Sequence, residues 1–336
     1  MLQSMPAVRL APPWGDDAQR QGGKMKPRVL QHGRLMASLE AALAEHFDLH
    51  PLLREADPKA FLAAHGAEFE GLATSARFGA DRALIEVLPS LRVIANFGVG
   101  VDTIDLAAAR ERGVAVSNTP DVLTDCVADL AFGLLIDVAR RLSAADRFVR
   151  RGDWLKEQFP LATRVSGKKL GIVGLGRIGA AIARRAGGFD IMVRYHNRRR
   201  VESCPYDYEA SLPALAAWAD FLVVACAGGA ATRHLVSREV IGALGPKAFL
   251  VNISRGSVID ETALVEALQA GRVAGAALDV FEDEPNVPSA LFALDNVVLL
   301  PHIASATNET RQAMADCVLA NLRSWFDTGR LLTPVV

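Results

Sequence analysis

KLGIVGLGRIGAAIARRA, residues 169–186, is the stretch that decides the fold. It opens with an apolar run typical of a buried strand and closes with a pattern typical of a helix. Between them, Gly174, Gly176 and Gly179 form the pattern G-x-G-x-x-G. Glycines at this spacing allow a tight turn, a close approach of the backbone to a pyrophosphate and tight packing of helix on strand. The stretch therefore predicts the phosphate-binding turn of a dinucleotide-binding domain.

The end of the next strand, IMVRYH, bears on which dinucleotide is bound. A domain that prefers NAD usually has Asp or Glu about 20 residues past the glycines, where it accepts hydrogen bonds from the ribose 2′-hydroxyl. This chain has Asn197 there, followed by Arg198, Arg199 and Arg200. Guanidinium groups can pair with a 2′-phosphate that a carboxylate would repel, although a short charge run can also be a solvated loop. The missing acid and the arginines together predict NADPH as the preferred cofactor, with NADH possible.

The alternation of strand-like and helical patterns continues on both sides of this stretch. DFLVVAC, AFLVNIS, AGAALDV and NVVLLPH follow it and complete the strands that a doubly wound dinucleotide-binding domain needs. From Pro27 onward, RVLQH, FDLHPLL, EGLATS and LRVIANF alternate with helical patterns, which predicts parallel strands joined by helical crossovers. The chain is therefore predicted to be an α/β protein with two Rossmann-like, doubly wound parallel-sheet domains.

The connections between the two series predict how the domains are joined. Thr124 to Arg150 has the periodicity of one long helix. The last helix, roughly Asn308 to Thr328, follows the final strand and is expected to pack back on the first domain. The dinucleotide-binding domain, residues 121–304, would then be inserted into a discontinuous substrate domain formed by residues 25–120 and 305–336.

The bulk composition excludes several classes of protein. A net charge of -1 argues against a nucleic-acid binder, which would carry a clear basic excess. The four cysteines form no C-x-x-C pair or disulfide framework, so we expect reduced thiols in a cytoplasmic protein and no metal site. The apolar stretch 127–139 is interrupted by acids and is too short for a membrane span. Residues 1–24 lack a secretory signal and are expected to be a disordered extension.

Three residues beyond the glycines suggest the chemistry. Arg255 in VNISRGSVIDE, Glu284 in ALDVFEDEP and His302 in VVLLPHIASAT each stand where a strand-like run gives way to a loop. Ligands of open α/β sheets bind at such strand ends. Arginine can anchor the carboxylate of a 2-keto acid and polarise its keto oxygen, and a histidine supported by a carboxylate can protonate that oxygen. Each residue alone is more often an ordinary loop residue, but together they predict reduction of a 2-keto acid.

The motifs around these residues resemble those of the D-isomer-specific 2-hydroxyacid dehydrogenase family, from about Pro27 to the C-terminus. The matching segments, in family order, are NFGVGVDTIDL, NTPDVLTDCVADLAFGLL, KLGIVGLGRIG, NISRGSVIDE, ALDVFEDEP and PHIASAT. Within the family, NTPDVLTD, RRGDW and YHNRRR are most similar to the glyoxylate/hydroxypyruvate reductases and the plant hydroxyphenylpyruvate reductases.

The resemblance implies roles for individual residues. Arg255 would bind and polarise the substrate, and Glu284 would pair with His302, the proton donor in reduction. The N–H groups of Val99 and Gly100 would hold the substrate carboxylate. The predicted cofactor contacts are Thr124, Gly174, Gly176, Arg177, Ile178, Gly179, Asn197, Arg198, Arg199, Cys226, Ile253, Asp279 and His302. Asp102 is expected to cap the following helix, because Asp-Thr-Ile-Asp is an ordinary N-terminal signal.

The resemblance also implies a homodimer formed through the dinucleotide-binding domains and the segment from Thr124 to Arg150. Trp154 or Phe159, just after that segment, would either enter the partner's active site or anchor the arm on its own chain. The implied activity is NADPH-preferring reduction of glyoxylate or hydroxypyruvate to the D-2-hydroxy acid. The alternatives are an aryl-pyruvate reductase with a wider pocket and a catalytically weak, NAD(P)H-sensing protein of the corepressor kind.

Overall fold

The computed structural model of the protein describes residues 25–336. The predicted disordered extension, residues 1–24, lies outside the described residues. The N-terminal part of the chain forms a five-stranded parallel sheet in the order β2-β1-β3-β4-β5. Its strands are β1 (Arg28–Gln31), β2 (Asp48–Pro51), β3 (Gly71–Ser75), β4 (Val93–Phe97) and β5 (Ala115–Ser117). The crossover helices are α1 (Ala37–His46), α2 (Pro58–His65), α3 (Arg82–Glu86) and α4 (Leu106–Glu111).

The second half forms a seven-stranded parallel sheet in the order β12-β11-β10-β9-β6-β7-β8. Its strands are β6 (Lys169–Val173), β7 (Met192–His196), β8 (Asp207–Tyr208), β9 (Phe221–Val224), β10 (Phe249–Asn252), β11 (Gly275–Leu278) and β12 (Val297–Leu299). Its crossover helices are α7 (Arg177–Ala186), α8 (Leu212–Trp218), α9 (Arg238–Leu244) and α10 (Glu261–Gln269). The quoted stretch is β6, its glycine turn and α7. The predicted α/β class and doubly wound sheets are confirmed.

The last helix connects the chain's end to its beginning. Helix α11 (Asn308–Thr328) packs against β4 and α1 of the first sheet. The extreme C-terminus also returns to that sheet, where the N–H of Val335 donates to the carbonyl of Val116 at 2.7 Å. The dinucleotide-binding unit is therefore inserted into a discontinuous first domain, as predicted.

The predicted single helix from Thr124 to Arg150 is wrong. The segment forms α5 (Thr124–Arg140) and α6 (Leu142–Arg150), separated by Arg141 in the left-handed region at φ 56°. The Asp137 carboxylate accepts a hydrogen bond from the N–H of Ser143 at 2.8 Å, which stabilises the start of the second helix. Apolar periodicity does not detect such a break, because both helices keep buried residues on either side of it.

Helix α5 lies between the two halves of the molecule. It packs against α7 and against β10 and β11 of the second sheet. Its residues share one large buried cluster with residues of the first sheet, including Val93, Ala95 and Phe97. This core fixes the second sheet's glycine turn close to the strand ends of the first sheet. Within residues 25–336, no helix is both long enough and apolar enough to cross a membrane.

Candidate active site

A cleft of about 1290 Å³ lies between the two sheets and is lined by most of the predicted site residues. Those that line it are Val99, Gly100, Thr124, Gly176, Arg177, Ile178, Cys226, Ile253, Arg255, Glu284 and His302. Those outside the lining are Gly174, Gly179, Asn197, Arg198, Arg199 and Asp279. Residues that are up to about 200 positions apart in sequence thus share one cavity.

His302 and Glu284 form a hydrogen-bonded pair at the edge of this cleft. The Nδ1 atom of His302 lies 2.8 Å from Oε2 of Glu284, and the other carboxylate oxygen accepts the N–H of Phe281 at 3.1 Å. An ionised carboxylate can only accept, so Nδ1 is the donor. His302 is 43 % exposed in its side chain, and its Nε2 has no protein partner within residues 25–336. The ring is therefore oriented by Glu284 while its second nitrogen remains available to a ligand.

The environment of Glu284 keeps it charged. Burial disfavours the ionised form of Glu284 and by itself would raise its pKa. The hydrogen bond and the charge of His302, together with the N–H donor of Phe281, outweigh burial, so the pKa of Glu284 lies below its ordinary value. The resulting stabilisation is fully present above the pKa of an unfolded glutamate, about 4.3, and is lost as the pH falls through the folded-state pKa. The pair is consequently intact across the neutral range.

Asp279 lies behind the pair and shapes the His302 segment. It is fully buried, and its carboxylate accepts the N–H groups of Ile303 at 2.7 Å and Ala304 at 2.8 Å. The N–H of His302 donates to the Asp279 carbonyl at 2.8 Å. Loss of hydration outweighs these donors and raises the pKa of the Asp279 carboxyl. These bonds hold His302 in a left-handed conformation, φ 55°, with its side chain in the cleft.

Arg255 is held by an acid that the sequence prediction gave another role. Its Nε donates to Oδ2 of Asp102 at 3.1 Å, and Nη1 donates to the Ser254 carbonyl at 2.9 Å. The predicted cap at Asp102 is wrong: Asp105 caps α4, accepting the N–H of Ala108 at 2.8 Å. Asp102 instead aims the guanidinium at the loop after β4, where a methyl group on Gly100 would overlap Arg255.

The loop after β4 presents backbone donors beside that guanidinium. The buried side chain of Asn96 donates to the carbonyls of Gly98 at 3.1 Å and Gly100 at 2.8 Å, and Asn118 donates to the carbonyl of Val99 at 2.8 Å. With the carbonyls engaged in this way, the N–H groups of Val99 and Gly100 have no protein partner within the described chain. Adjacent free N–H groups can bind an anion such as a carboxylate.

The glycine turn after β6 fits a dinucleotide. Gly174 has φ 97°, and a Cβ there would lie 2.5 Å from the Cα of Cys226. A Cβ on Gly179 would overlap the carbonyl of Gly174, whereas Gly176 faces open space. The first N–H groups of α7 have no partners within the helix and can bind phosphate. The close contacts at Gly174 and Gly179 and the open space at Gly176 are compatible with the predicted phosphate-binding turn.

The loop after β7 contacts the glycine turn and carries three exposed arginines. Asn197 Oδ1 accepts the N–H of Leu175 at 2.7 Å, which ties this loop to the glycine turn. Arg198, Arg199 and Arg200 are exposed and form no ion pair in the part of the chain that the structure describes. Asn197 therefore stabilises the glycine turn, and the three guanidinium groups next to it can bind an anion.

Two other predicted contacts have protein partners or surroundings of their own. Arg177 Nε pairs with Oδ1 of Asp121 at 2.8 Å, a bond between α7 and the loop that leaves the first sheet. Burial raises the pKa of the Cys226 thiol, so it stays protonated and lines the cleft as a small neutral group. Asp102 and Asp121 are the acids that sequence reasoning missed, since each acts on an arginine distant in sequence.

The chain is similar in sequence to known proteins of one family. The model of the D-isomer specific 2-hydroxyacid dehydrogenase NAD binding domain matches residues 132–304. A hydroxyphenylpyruvate reductase from Plectranthus scutellarioides is 49% identical over 92% of this chain and 98% of its own length. A glyoxylate/hydroxypyruvate reductase from Arabidopsis thaliana is 47% identical over the same shares.

Solved structures show the same likeness. The NADPH-dependent glyoxylate/hydroxypyruvate reductase from Sinorhizobium meliloti, in complex with NADP and malonate, has a TM-score of 0.87 and 46% identity over 93% of this chain and 97% of that one. A 2-hydroxyacid dehydrogenase from Ketogulonicigenium vulgare has the same TM-score and identity and covers 93% of this chain and 99% of its own. The predicted resemblance is confirmed, and the chain belongs to the D-isomer-specific 2-hydroxyacid dehydrogenase family.

Proposed function

We propose that this protein is an NADPH-preferring reductase of small 2-keto acids, with glyoxylate and hydroxypyruvate as leading substrates and the D-2-hydroxy acid as product. The observation that carries the proposal is the convergence of three elements on one cleft. These are the oriented His302–Glu284 pair, the Arg255 guanidinium and the free N–H groups of Val99 and Gly100. The glycine turn opens into the same cleft through Gly176.

Each group has one task in the proposed reaction. The N–H groups after β4 and the Arg255 guanidinium bind the substrate carboxylate, and Arg255 also polarises the keto oxygen. Asp102 keeps the guanidinium in place. NADPH, when bound, supplies the hydride for the carbonyl carbon. His302 donates the proton from Nε2 as negative charge develops on oxygen, and Glu284 stabilises the charged ring and fixes its orientation.

The cofactor preference is proposed from the end of β7. The pyrophosphate would bind at Gly176 and the start of α7, with Arg177, Ile178, Thr124 and Ile253 along the cleft wall. The 2′-phosphate would meet Arg198 and Arg199, which have no acidic partner among the described residues. Asp279 would accept a hydrogen bond from the nicotinamide carboxamide. The likeness to the NADPH-dependent reductase of S. meliloti supports the same preference.

Replacing Arg198 and Arg199 with glutamine should raise KM for NADPH by roughly 10- to 100-fold, because charge-assisted hydrogen bonds to the phosphate are lost. KM for NADH should change little. The measurement is initial rates with both cofactors at a saturating 2-keto acid. Arg330→Gln, at an exposed arginine away from β7, serves as the control. Equal changes for both cofactors would reject the 2′-phosphate assignment.

We further propose a homodimer formed through α5, α6 and the segment that follows. Leu155 is 94% and Leu161 101% exposed, an unusual state for leucines that a second copy would relieve. Phe159 packs on Phe148 with ring centroids 5.3 Å apart, which supports an anchoring role on its own chain. Trp154 is 64% exposed and is therefore the candidate to enter the partner's active site. Sedimentation equilibrium should give twice the chain mass of 36.0 kDa; a monomer at micromolar concentration would contradict the proposal.

The domain limits and the location of the protein also remain proposals. The limits are residues 25–120 with 305–336 for the substrate domain and 121–304 for the dinucleotide-binding domain. Their placement is supported by the return of α11 to the first sheet. A cytoplasmic location is supported by cysteines that are all unpaired among the described residues.

The test of the proposed function is a substrate panel. Glyoxylate, hydroxypyruvate, pyruvate and hydroxyphenylpyruvate are assayed with NADPH and with NADH. The proposal expects the highest kcat/KM for glyoxylate or hydroxypyruvate with NADPH. A preference for hydroxyphenylpyruvate would favour the aryl-pyruvate alternative, which is supported by apolar lining residues Leu35, Met36 and Met314 and by the Plectranthus relative. Tight NADPH binding with no turnover of any acid would favour a sensing protein.

A further inference from the structure

The first sheet has a topological switch point of its own that the proposed reaction does not use. Strands β1 and β3 are neighbours there, and the strand order reverses between them. Ligands of open α/β sheets bind at such a reversal, outside the carboxyl ends of the strands. Arg34 stands just after β1 and Arg77 just after β3, and both line the cleft. The proposed carboxylate site, Val99 and Gly100, lies one strand further along, after β4.

The two loops that carry these arginines are fixed against each other. The ring of Phe78 lies so close to Gly33 that a Cβ there would overlap it. His32 Nδ1 lies 3.0 Å from the carbonyl oxygen of Gly79, which accepts its hydrogen bond, and the His32 and Phe78 rings pack edge to face at 5.8 Å. The two loops are thereby held against each other, and both arginines line the same cleft from these neighbouring loops.

Several arginine side chains that line the cleft have positive charges that no acidic side chain of the described chain balances. Each acid that lines the cleft has a partner already: Asp102 with Arg255, Asp121 with Arg177 and Glu284 with His302. Arg34 and Arg77 form no ion pair within residues 25–336. A third guanidinium, that of Arg311, also lines the cleft and lies 5.6 Å from the centre of the Phe97 ring. The cleft thus contains arginine side chains that have no acidic partner among the described residues.

The spacing of the strands indicates how long a substrate must be to reach from the loop after β4 to Arg34 and Arg77. Neighbouring strands are about 4.8 Å apart, so the loops after β3 and β1 lie roughly 5 and 10 Å from the loop after β4. We propose that Arg34 and Arg77 bind a second anionic group of the substrate, a carboxylate or a phosphate at the far end of a 2-keto acid of about three to five carbons. This inference rests on the proposed function, since it assumes that the keto-acid end lies at Arg255.

The kinetic test compares substrates that differ in the second charge. 2-Oxoglutarate is compared with 2-oxopentanoate, and phosphohydroxypyruvate with hydroxypyruvate, at saturating NADPH. In each pair that the site accepts, the dianionic acid should have a kcat/KM about tenfold or more above that of the monoanionic acid. The pair with the larger ratio of these two kcat/KM values identifies whether the bound group is a carboxylate or a phosphate. Arg34→Gln/Arg77→Gln should lower that ratio by roughly tenfold, whereas the control Arg54→Gln, at an exposed arginine outside the cleft, should keep it. Ratios near one in the unaltered protein, or a ratio unchanged in the double variant, would overturn the inference.

A binding test separates this inference from the reaction itself. N-oxalylglycine carries both carboxylates but cannot be reduced, and its glycine methyl ester lacks the second charge. Calorimetry with the NADPH-loaded protein should show the dianion binding at least tenfold tighter, with the difference lost in the Arg34→Gln/Arg77→Gln variant. If this holds while no 2-keto acid is turned over, the proposed function fails and the anion site stands. If acid and ester bind equally while glyoxylate is reduced, the anion site fails and the proposed function stands.

Discussion

The His302→Ala variant is expected to reduce glyoxylate with a kcat lower by roughly 10²- to 10⁴-fold, the usual contribution of a positioned general acid. The ring is hydrogen-bonded through Nδ1 to Glu284, and its Nε2 faces the cleft, so its removal leaves the developing alkoxide without a proton donor. NADPH affinity, followed by fluorescence titration, should stay nearly unchanged. Near-normal turnover would show that the proton comes from elsewhere.

The molecule contains a matched control for this substitution. His234 also has a positive φ, 49°, and its Nε2 lies 3.1 Å from Oε1 of Glu282, but it does not line the cleft. His234→Ala removes a comparable histidine–glutamate pair and should leave kcat within about twofold, as is usual for surface substitutions. A similar loss in both variants would indicate a general structural effect instead of lost acid catalysis.

The pH dependence of the same reaction has a definite sign. Reduction consumes a proton that the imidazole of His302 donates, so the rate should fall as the pH rises. Glu284 does not add a second step in the neutral range, because its pKa is lowered and it stays ionised there. In His302→Ala this dependence should disappear along with most of the rate, which rate profiles between about pH 6 and 9 would measure.

The Arg255→Gln variant is expected to lose roughly 10²- to 10³-fold in kcat/KM for glyoxylate, the range found when a donor to a developing oxyanion is removed. The guanidinium serves both the carboxylate and the keto oxygen, so kcat and KM should both worsen. Arg255→Lys should not restore the activity, because a single ammonium cannot replace the planar fork. Steady-state kinetics with saturating NADPH would measure both effects.

Part of that loss could arise indirectly, because Arg255→Gln leaves Asp102 as an unpaired acid beside an anionic substrate. The double variant Arg255→Gln/Asp102→Asn removes this repulsion. If Arg255 binds and polarises the substrate, the double variant should remain within about tenfold of the single one. Recovery to near-normal kcat/KM would mean that Arg255 acts only to neutralise Asp102.

Much of the fold and the core of the site could be predicted from sequence, because the signals are local. Apolar runs marked ten of the twelve strands in the part of the chain that the structure describes, and the glycines after β6 have the conformations that their spacing requires. Arg255, Glu284 and His302 stand at strand ends, and parallel strands bring their carboxyl ends to one edge. The family motifs then supported roles that single residues could not.

The features that were missed depend on contacts distant in sequence or on very short elements. Asp102 and Asp105 are both plausible caps for α4, and only the folded chain shows that Asp102 instead meets Arg255, 153 residues away. Strands β5 and β8 have three and two residues, too few to show a period. The break at Arg141 is a single left-handed residue between two helices, which a periodic pattern does not reveal.

The most direct test of the central claim follows a deuteride from cofactor to product. Hydroxypyruvate is incubated with the purified protein and NADPH carrying deuterium on the transferable position of C4, and the glycerate is analysed by mass spectrometry and chiral chromatography. A reductase that holds its 2-keto acid at Arg255 and His302 should yield D-glycerate with one deuterium at C2. No turnover, L-glycerate, or D-glycerate without deuterium would contradict the account.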